Sequence, residues 1–418
     1  MLNSNNEREL AYLTIVDSVH PMNADRLEYV CVGGWHCVVG KGEFKPGDVA
    51  VYFGIDSQLP DISPFSSIEF LKSKHFKIKS QKIRGEISQG LLLPLNVFGW
   101  DSFTQISTNK KYVKDDTGSF HYIDDDSRFL TKQLNVTYAT SEDNKRKASP
   151  IDKYKKMSQR YPHLGKKNWW RWLYKREWGK KVLFFFFGKP KDRKNGWPTW
   201  VKKTDEERCQ NMPWLFTLES SRCKNYIATE KIDGTSTTFT MKGFGRKRQF
   251  LVCSRNVVFT KPNADCYYKE NVYQKMAEKY HIEEVLSKLL DNFKNEESQA
   301  DFITLQGETF GAGIQKRDYG LKDPEIRFFN VIFGYKNGKT VRLNPVQGTI
   351  FLQKYNLPFV PIIDEHFKLP ETCEELLEKA SGISLIDGGL REGLVLRTED
   401  GSFSFKAVSN DYLLKYHS

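Results

Sequence analysis

The chain has 418 residues, 39% of them hydrophobic and 14% aromatic, and a formal charge of +12. That composition supplies real cores and excludes a wholly disordered chain, and no run approaches the roughly 18 consecutive apolar residues of a membrane span. The seven cysteines, at 31, 37, 209, 223, 253, 266 and 373, are odd in number and form no CxxC pair, which argues against a disulfide scaffold or zinc knuckle and predicts a reduced intracellular protein, cytoplasmic or nuclear.

In chain order, MLNSNNEREL has neither the cationic flank nor the apolar stretch of a secretory signal. RLEYVCV, HCVVG and VAVYF read as short strands, separated by the turn signals HPMNAD, GG, KPGD and DSQLP. Strands at this spacing predict a small β-barrel over residues 1–100. FKIKSQKIRG predicts a further strand, with Phe76 and Ile78 on one face and Lys77 and Lys79 on the other. That basic face suits a phosphate backbone as well as it suits solvent; Lys77, Lys79 and Arg84 are the candidate nucleic-acid contacts here.

Residues 101–199 read as a linker or insert. Its acidic clusters, Asp115–Asp116 and Asp124–Asp126, fit a solvated loop better than a metal site, because adjacent strand side chains point to opposite faces. The charge is concentrated at its end. Between Lys166 and Lys203 there are thirteen Lys and Arg against Glu177 and Asp192, so this window holds +11 and the other 380 residues sum to +1. Six of the nine tryptophans share it, at 169, 170, 172, 178, 197 and 200. Three readings are open: a strap packing its aromatics on a domain, a surface that grips and stacks nucleic acid through residues such as Lys175 and Arg176, or a membrane-surface segment. KTDEERCQN then has the spacing of a helix start, with Thr204 as N-cap and Glu207 three residues on.

From residue 200 onward strands and helices alternate. Residues 270–293 carry helical periodicity, while IRFFNVIFGY, GLVLRT and SFSFKAV read as buried strands, which makes this an α+β or α/β domain. Its sharpest local feature is EKIDG. A lysine at a strand end, Lys231, followed by Asp233 and Gly234, becomes a nucleophile when its ammonium is discharged by its surroundings, although four residues alone are weak grounds. Further pieces follow in order: CSRN with Arg255 and Asn256, LQGETFGAGIQ with Glu308, IRFFNV with Phe329, REGLVLR with Glu392, and SFSFKAV with Lys406.

This series resembles the nucleotidyltransferase motifs of ATP-dependent polynucleotide ligases and capping enzymes. The residues ADRLEYVCVGGWHCVVGKGEFKPGDVAVYF and KIRGEISQGLLLPL resemble the OB domain that precedes the catalytic domain in Deinococcus-type RNA ligases, as does KTDEERCQN before the first motif. Only twelve residues follow Lys406, too few for the OB barrel that DNA ligases and capping enzymes carry after their last motif. The resemblance implies an N-terminal OB-like barrel and an ATP-grasp-like nucleotidyltransferase domain of antiparallel sheets with flanking helices over 200–418.

It also implies a monomeric enzyme using ATP and Mg²⁺ or Mn²⁺ to seal 3′-hydroxyl and 5′-phosphate ends in RNA or an RNA-containing nicked duplex. The alternatives are a DNA ligase or capping-type guanylyltransferase, and a non-catalytic RNA-binding protein. On the resemblance, Lys231 is the nucleophile, Glu308 and Glu392 hold metal or ribose, Lys406 grips the α-phosphate, and Arg255 contacts phosphate or ribose with Asn256 beside it. Glu230 recognises the adenine edge, Phe329 stacks on adenine or belongs to the core, and Asp233 contacts metal or only shapes its turn. Gly234 and Gly307 let the backbone approach the nucleotide. One departure stands out: many ligases carry KxK in the last motif, and here Ser404 occupies the first position.

Overall fold

The alternation of apolar residues along Ala11–Ile15 and Val49–Gly54 decides the first domain. In these strands, β1 and β5, Leu13, Val51 and Phe53 face one apolar cluster, and Tyr12, Ala50 and Tyr52 face another on the opposite side. The structure is a computed structural model that describes residues 1–100, 112–114, 120–122, 128–139, 168–187, 197–259, 268, 270–292 and 300–417. Two units form: Met1–Thr137 with Trp197–Ser418, and Tyr138–Gly196.

The N-terminal part is built from β1, β2 (Ser18–Pro21), β3 (Leu27–Val32), β4 (Trp35–Gly40), β5, β6 (Gln81–Ile83), β7 (Glu86–Ser88) and β8 (Gly90–Pro94). Their pairing is antiparallel, in the orders β1-β5-β8, β2-β3-β4 and β6-β7. The β6–β7 hairpin closes through Arg84 and Gly85, both at positive φ (51° and 97°), a turn whose twist matches that of its strands. The strand expected over 76–85 forms only at Gln81–Ile83: His75 and Phe76 take φ of 51° and 57°, which breaks extension before it, and Lys77 makes a single bridge to Gln58. Phe76 and Ile78 are nonetheless buried, as their spacing predicted.

Part of the expected linker belongs to this barrel. Leu130 and Val136 enter the core beside Leu13 and Phe53, and Thr131 Oγ1 accepts from the amides of Leu10 (2.9 Å) and Ala11 (3.1 Å). Apolar residues at 130, 134 and 136 carried that information within a polar stretch. Asp115–Asp116 and Asp124–Asp126 lie outside the described residues.

In the second unit, the basic-aromatic segment forms two helices, α1 (Asn168–Tyr174) and α2 (Glu177–Phe187). The Arg176 guanidinium lies over the Trp172 ring, 3.6 Å from its centroid, and Trp172 meets Trp178 edge-on. Lys175 and Arg176 are exposed. No described helix is long and apolar enough to cross a membrane.

The C-terminal part contains two sheets. One runs β9 (Glu207–Arg208), β19 (Ser404–Val408), β18 (Gly393–Thr398), β10 (Tyr226–Lys231), β17 (Ile362–Phe367). The other runs β13 (Val258–Phe259), β12 (Gln249–Ser254), β11 (Thr235–Lys242), β14 (Ala300–Phe310), β15 (Glu325–Tyr335), β16 (Thr340–Arg342). All pairs are antiparallel except β9–β19. The helical periodicity of 270–293 yields two helices, α3 (Val272–Lys279) and α4 (Ile282–Asn292), broken where His281 takes φ of 48°. Ile282, Leu286, Leu289 and Leu290 form one face of α4 and pack with Phe239, Ile303 and Leu305 of the larger sheet. Each such side chain contributes roughly 1.5–3 kcal/mol on burial.

The helix expected from Thr204 does not form. Thr204 Oγ1 bonds Ser236 Oγ at 2.7 Å, and Glu207 and Arg208 pair as β9 with Phe405 and Lys406. Tertiary strand pairing outcompetes a local capping pattern here.

Candidate active site

Strand register assembles the site. Lys231, the last residue of β10, pairs with Gly393 at the start of β18, which sets Glu392 beside it. Gly393 is required there, because a Cβ would meet the Ala407 carbonyl oxygen at 2.1 Å. The chain then turns through Asp233–Gly234 into β11 of the other sheet, where Ser236 pairs with Glu308. Lys406 pairs with Val395 on one side and Arg208 on the other.

Four side chains converge. Lys231 Nζ donates to Glu392 Oε2 at 2.7 Å. Burial pushes the Lys231 ammonium toward its neutral form, but the Glu392 and Glu308 carboxylates outweigh this and hold its pKa above the ordinary lysine value. Burial, reinforced by the negative charges of Glu392 and Asp233, pushes Glu308 up to about 8 against the pull of Lys231. Lys406 is pulled down to about 8 by burial and by the like charge of Lys231. Carboxylates therefore outnumber what Lys231 neutralises, and a cation at Glu308 and Glu392 would relieve the excess. Among the described residues no three His, Cys, Asp or Glu side chains cluster as a protein-only metal cage. Two carboxylates suit Mg²⁺ or Mn²⁺ completed by water and phosphate oxygens.

A cavity of about 330 Å³ opens beside Lys231. Lys231, Glu308, Arg255, Asp205 and Lys406 line its polar part, and Phe329, Val360 and Val395 give it apolar walls. The structure brings Phe329 to the cavity although it also packs with Val360 and Ile232. Arg255 is half exposed and donates to Asp205 Oδ2 at 2.7 Å. Asn256 stands beside it, accepting from Lys203 Nζ at 2.9 Å.

The other expected residues make contacts within the protein. The Glu230 carboxylate accepts from Ser384 Oγ (2.5 Å) and the Leu385 amide (2.8 Å) of the 384–389 loop, and Glu230 is also among the residues that line the cavity. The Asp233 amide donates to Tyr319 Oη at 2.8 Å and its Oδ2 accepts from Tyr412 Oη at 3.0 Å, which anchors the turn. Gly234 and Gly307 serve strand packing: a Cβ on them would lie 2.3 Å from the Thr309 carbonyl oxygen and 2.7 Å from that of Arg327.

Asp205, Glu206 and Arg397 are site residues that motif reading missed. Asp205 Oδ1 lies 3.8 Å from Lys406 Nζ. Glu206 Oε2 accepts from Ser404 Oγ at 2.6 Å, and its Oε1 lies 3.5 Å from Arg397 Nη2 and 4.0 Å from Arg342 Nη1. Around Ser404, where many ligases carry a lysine, the positive charge comes from these two arginines. The paired acids in KTDEE before the first motif were the available signal.

Of the candidate nucleic-acid contacts, Lys79 and Arg84 are exposed, Arg84 at the β6–β7 turn, and Lys77 is half-buried.

An OB-like barrel ahead of a two-sheet domain, with Lys231, Glu308 and Lys406 lining a cavity and Glu392 bonded to Lys231, defines a polynucleotide ligase. Residues 10–95 match an OB-fold domain model and residues 224–417 match the RNA ligase model. Residues 224–417 thus carry an RNA ligase domain, with an OB-fold domain ahead of it. Among solved structures it is similar to the Naegleria gruberi RNA ligase with PPi, at 25% identity and TM-score 0.59, covering 98% of this chain and 99% of that one. Mutants of the same ligase with ATP and Mn, and with AMP and Mn, match at 26% identity and TM-score 0.60, again over 98% and 99% of the two chains. No curated protein matches in sequence.

Proposed function

We propose that this RNA ligase uses ATP and Mg²⁺ or Mn²⁺ to seal 3′-hydroxyl and 5′-phosphate ends through a lysyl-AMP and an adenylylated 5′ end, acting on nicks in duplexes whose 3′-hydroxyl strand is RNA. The observation that carries this reading is the Lys231 amine, held 2.7 Å from Glu392 beside Glu308 at the mouth of a nucleotide-sized cavity. Solved complexes of the similar ligase with ATP, AMP and Mn support the cofactors.

In the first step Lys231 Nζ attacks the α-phosphorus, the bond to pyrophosphate breaks, and a phosphoramide forms. Glu392, as hydrogen-bond acceptor, orients the amine. Bound at Glu308 and Glu392, a divalent ion would draw charge from these carboxylates, lower the Lys231 pKa and neutralise the leaving pyrophosphate. Lys406, as its cation, binds an α-phosphate oxygen, and the incoming phosphate offsets the burial that lowers its pKa. Arg255, held by Asp205, contacts phosphate or ribose, and Phe329 and Val395 enclose the base. A 5′-phosphate oxygen then attacks the lysyl-AMP phosphorus, the P–N bond breaks and frees the Lys231 amine, and finally the 3′-hydroxyl attacks the capped 5′-phosphorus and AMP leaves. Each step concentrates charge on phosphoryl oxygens, so cationic positioning supplies most of the catalysis.

The test is incubation with α-labelled ATP and Mg²⁺ or Mn²⁺, followed by a panel of nicks with DNA or RNA on each side. Label on the wild type and none on Lys231→Ala is expected. Equal label on both, or none on the wild type, rejects the reading, and indifference to RNA at the 3′ side rejects the nick assignment alone.

A further inference from the structure

Glu230 lines the cavity with its carboxylate held by Ser384 and the Leu385 amide, and two further groups of the lining bear on the base. Three observations identify them. First, direction: along β18, Gly393 pairs with Lys231, Val395 with Thr229 and Arg397 with Ile227, so Arg397 lies two strand steps from the nucleophile, beyond Val395. A base enclosed by Phe329 and Val395 directs an edge toward Arg397. Second, fixation: Arg397 is 3% exposed, its Nη1 donates to the Phe329 carbonyl at 3.0 Å, and its Nη2 faces Glu206 Oε1 at 3.5 Å. Ser404 Oγ holds the other Glu206 oxygen at 2.6 Å, so both side chains are oriented before a nucleotide arrives. Third, unused capacity: Arg397 Nε has no hydrogen-bond partner although it is buried, and Glu206 and Arg397 both line the cavity.

We infer that Glu206 and Arg397 are the specificity-determining pair that selects adenine over guanine, Glu206 by accepting from the exocyclic amine and Arg397 by donating to the neighbouring ring nitrogen. Adenine presents donor then acceptor along this edge, and the pair presents acceptor then donor. Guanine presents the reverse, which sets its O6 against the Glu206 carboxylate and its ring N–H against a guanidinium. A site that leaves buried polar groups unpaired rejects the wrong ligand far more strongly than a merely apolar pocket. Neither residue touches the reacting phosphorus, so their contribution falls on nucleotide affinity and not on the chemical step. This inference rests on the nucleotide reading above.

The experiment measures lysyl-nucleotide formation with ATP, GTP and purine riboside triphosphate, which lacks the exocyclic amine, on wild type, Glu206→Gln and Glu206→Ala. The wild type is expected to prefer ATP over the amine-free analogue by about tenfold or more in kcat/KM. Glu206→Ala loses that preference, because the amine then has no acceptor. Glu206→Gln keeps the Ser404 contact, presents an amide donor to O6, and narrows the ATP-over-GTP ratio by about tenfold or more. Circular dichroism and thermal unfolding of both variants report whether the fold is intact. If Glu206→Ala discriminates ATP from the amine-free analogue as strongly as wild type does, the assignment is overturned while the ligase reading stands. Absence of label on the wild type with ATP instead removes the ligase reading.

Discussion

Lys231 Nζ lies 2.7 Å from Glu392 Oε2, an ion pair that opposes the burial favouring the neutral amine. With Glu308 also near, the nucleotide-free protein holds Lys231 as an ammonium above the ordinary lysine pKa. Its neutral form, the one that attacks, is favoured once the carboxylates are otherwise engaged. Trinitrobenzenesulfonate labelling of Lys231 across pH, without ATP or metal, should therefore show a midpoint above that of a surface lysine. In Glu392→Gln the midpoint should fall, yet lysyl-AMP formation should drop by about a hundredfold or more because the oriented acceptor is gone. A midpoint unmoved by Glu392→Gln would break the link.

Glu308 makes the empty site dependent on pH. Folded, its carboxyl keeps a proton up to about 8; unfolded, it releases it near the ordinary value of 4.5. Between these values the folded state binds the extra proton, so stability is fullest below 4.5 and is lost as pH rises through 8. Without nucleotide or metal, Tm should decline between pH 5 and pH 8 by something on the order of several degrees, and Glu308→Gln should flatten that decline. Thermal scans at the two pH values decide it, and a slope equal in wild type and variant refutes it.

The parts of this site that were legible in sequence are those carried by local strings. EKIDG, GETFG and EGLVLR each set a residue at a strand end or beside a glycine, SFKAV sets Lys406 in the middle of a strand, and strand register brings Lys231, Glu308, Glu392 and Lys406 together. Asp205, Glu206 and Arg397 were harder to read: the acids of KTDEE stood before the first motif, but the partners that give them a role lie about 50 to 200 residues away. Nor were the partners of Glu230 legible: Ser384 and Leu385 hold its carboxylate from a loop about 150 residues away in sequence. The barrel boundary was drawn short because Leu130 and Val136 sit among polar residues, so the amphipathic signal was diluted.

Gly234 offers a substitution whose effect follows from space alone. A Cβ there would stand 2.3 Å from the Thr309 carbonyl oxygen and 2.9 Å from Glu308 Cγ, and the oxygen belongs to a paired strand that cannot yield cheaply. Gly234→Ala must push β14 and the Glu308 side chain aside. A loss of about 1–3 kcal/mol in stability is expected from overpacking of this kind, with lysyl-AMP formation reduced about a hundredfold by misplacement of Glu308. Denaturant titration together with α-labelled ATP would test both. Wild-type labelling by this variant would mean that Glu308 tolerates displacement, and its assigned role would fail.

Lys175 and Arg176 carry the test of the concentrated charge. Both are exposed on the α1–α2 unit, and Arg176 is held flat against Trp172, a fixed cation beside an aromatic surface. If this surface tracks a phosphate backbone, binding of a nicked duplex must release counterions, and affinity must fall with salt in proportion to the phosphates neutralised. The double change Lys175→Ala with Arg176→Ala should then weaken nick binding most at low salt and reduce the slope of log K against log salt by about 1 to 2. Lysyl-AMP formation should be untouched, because neither residue belongs to the unit that holds Lys231. Binding isotherms at several salt concentrations separate the possibilities. Weaker binding with an unchanged slope would indicate lost packing around Trp172 and not lost phosphate contact. Unchanged binding at every salt concentration would remove this surface from substrate recognition altogether.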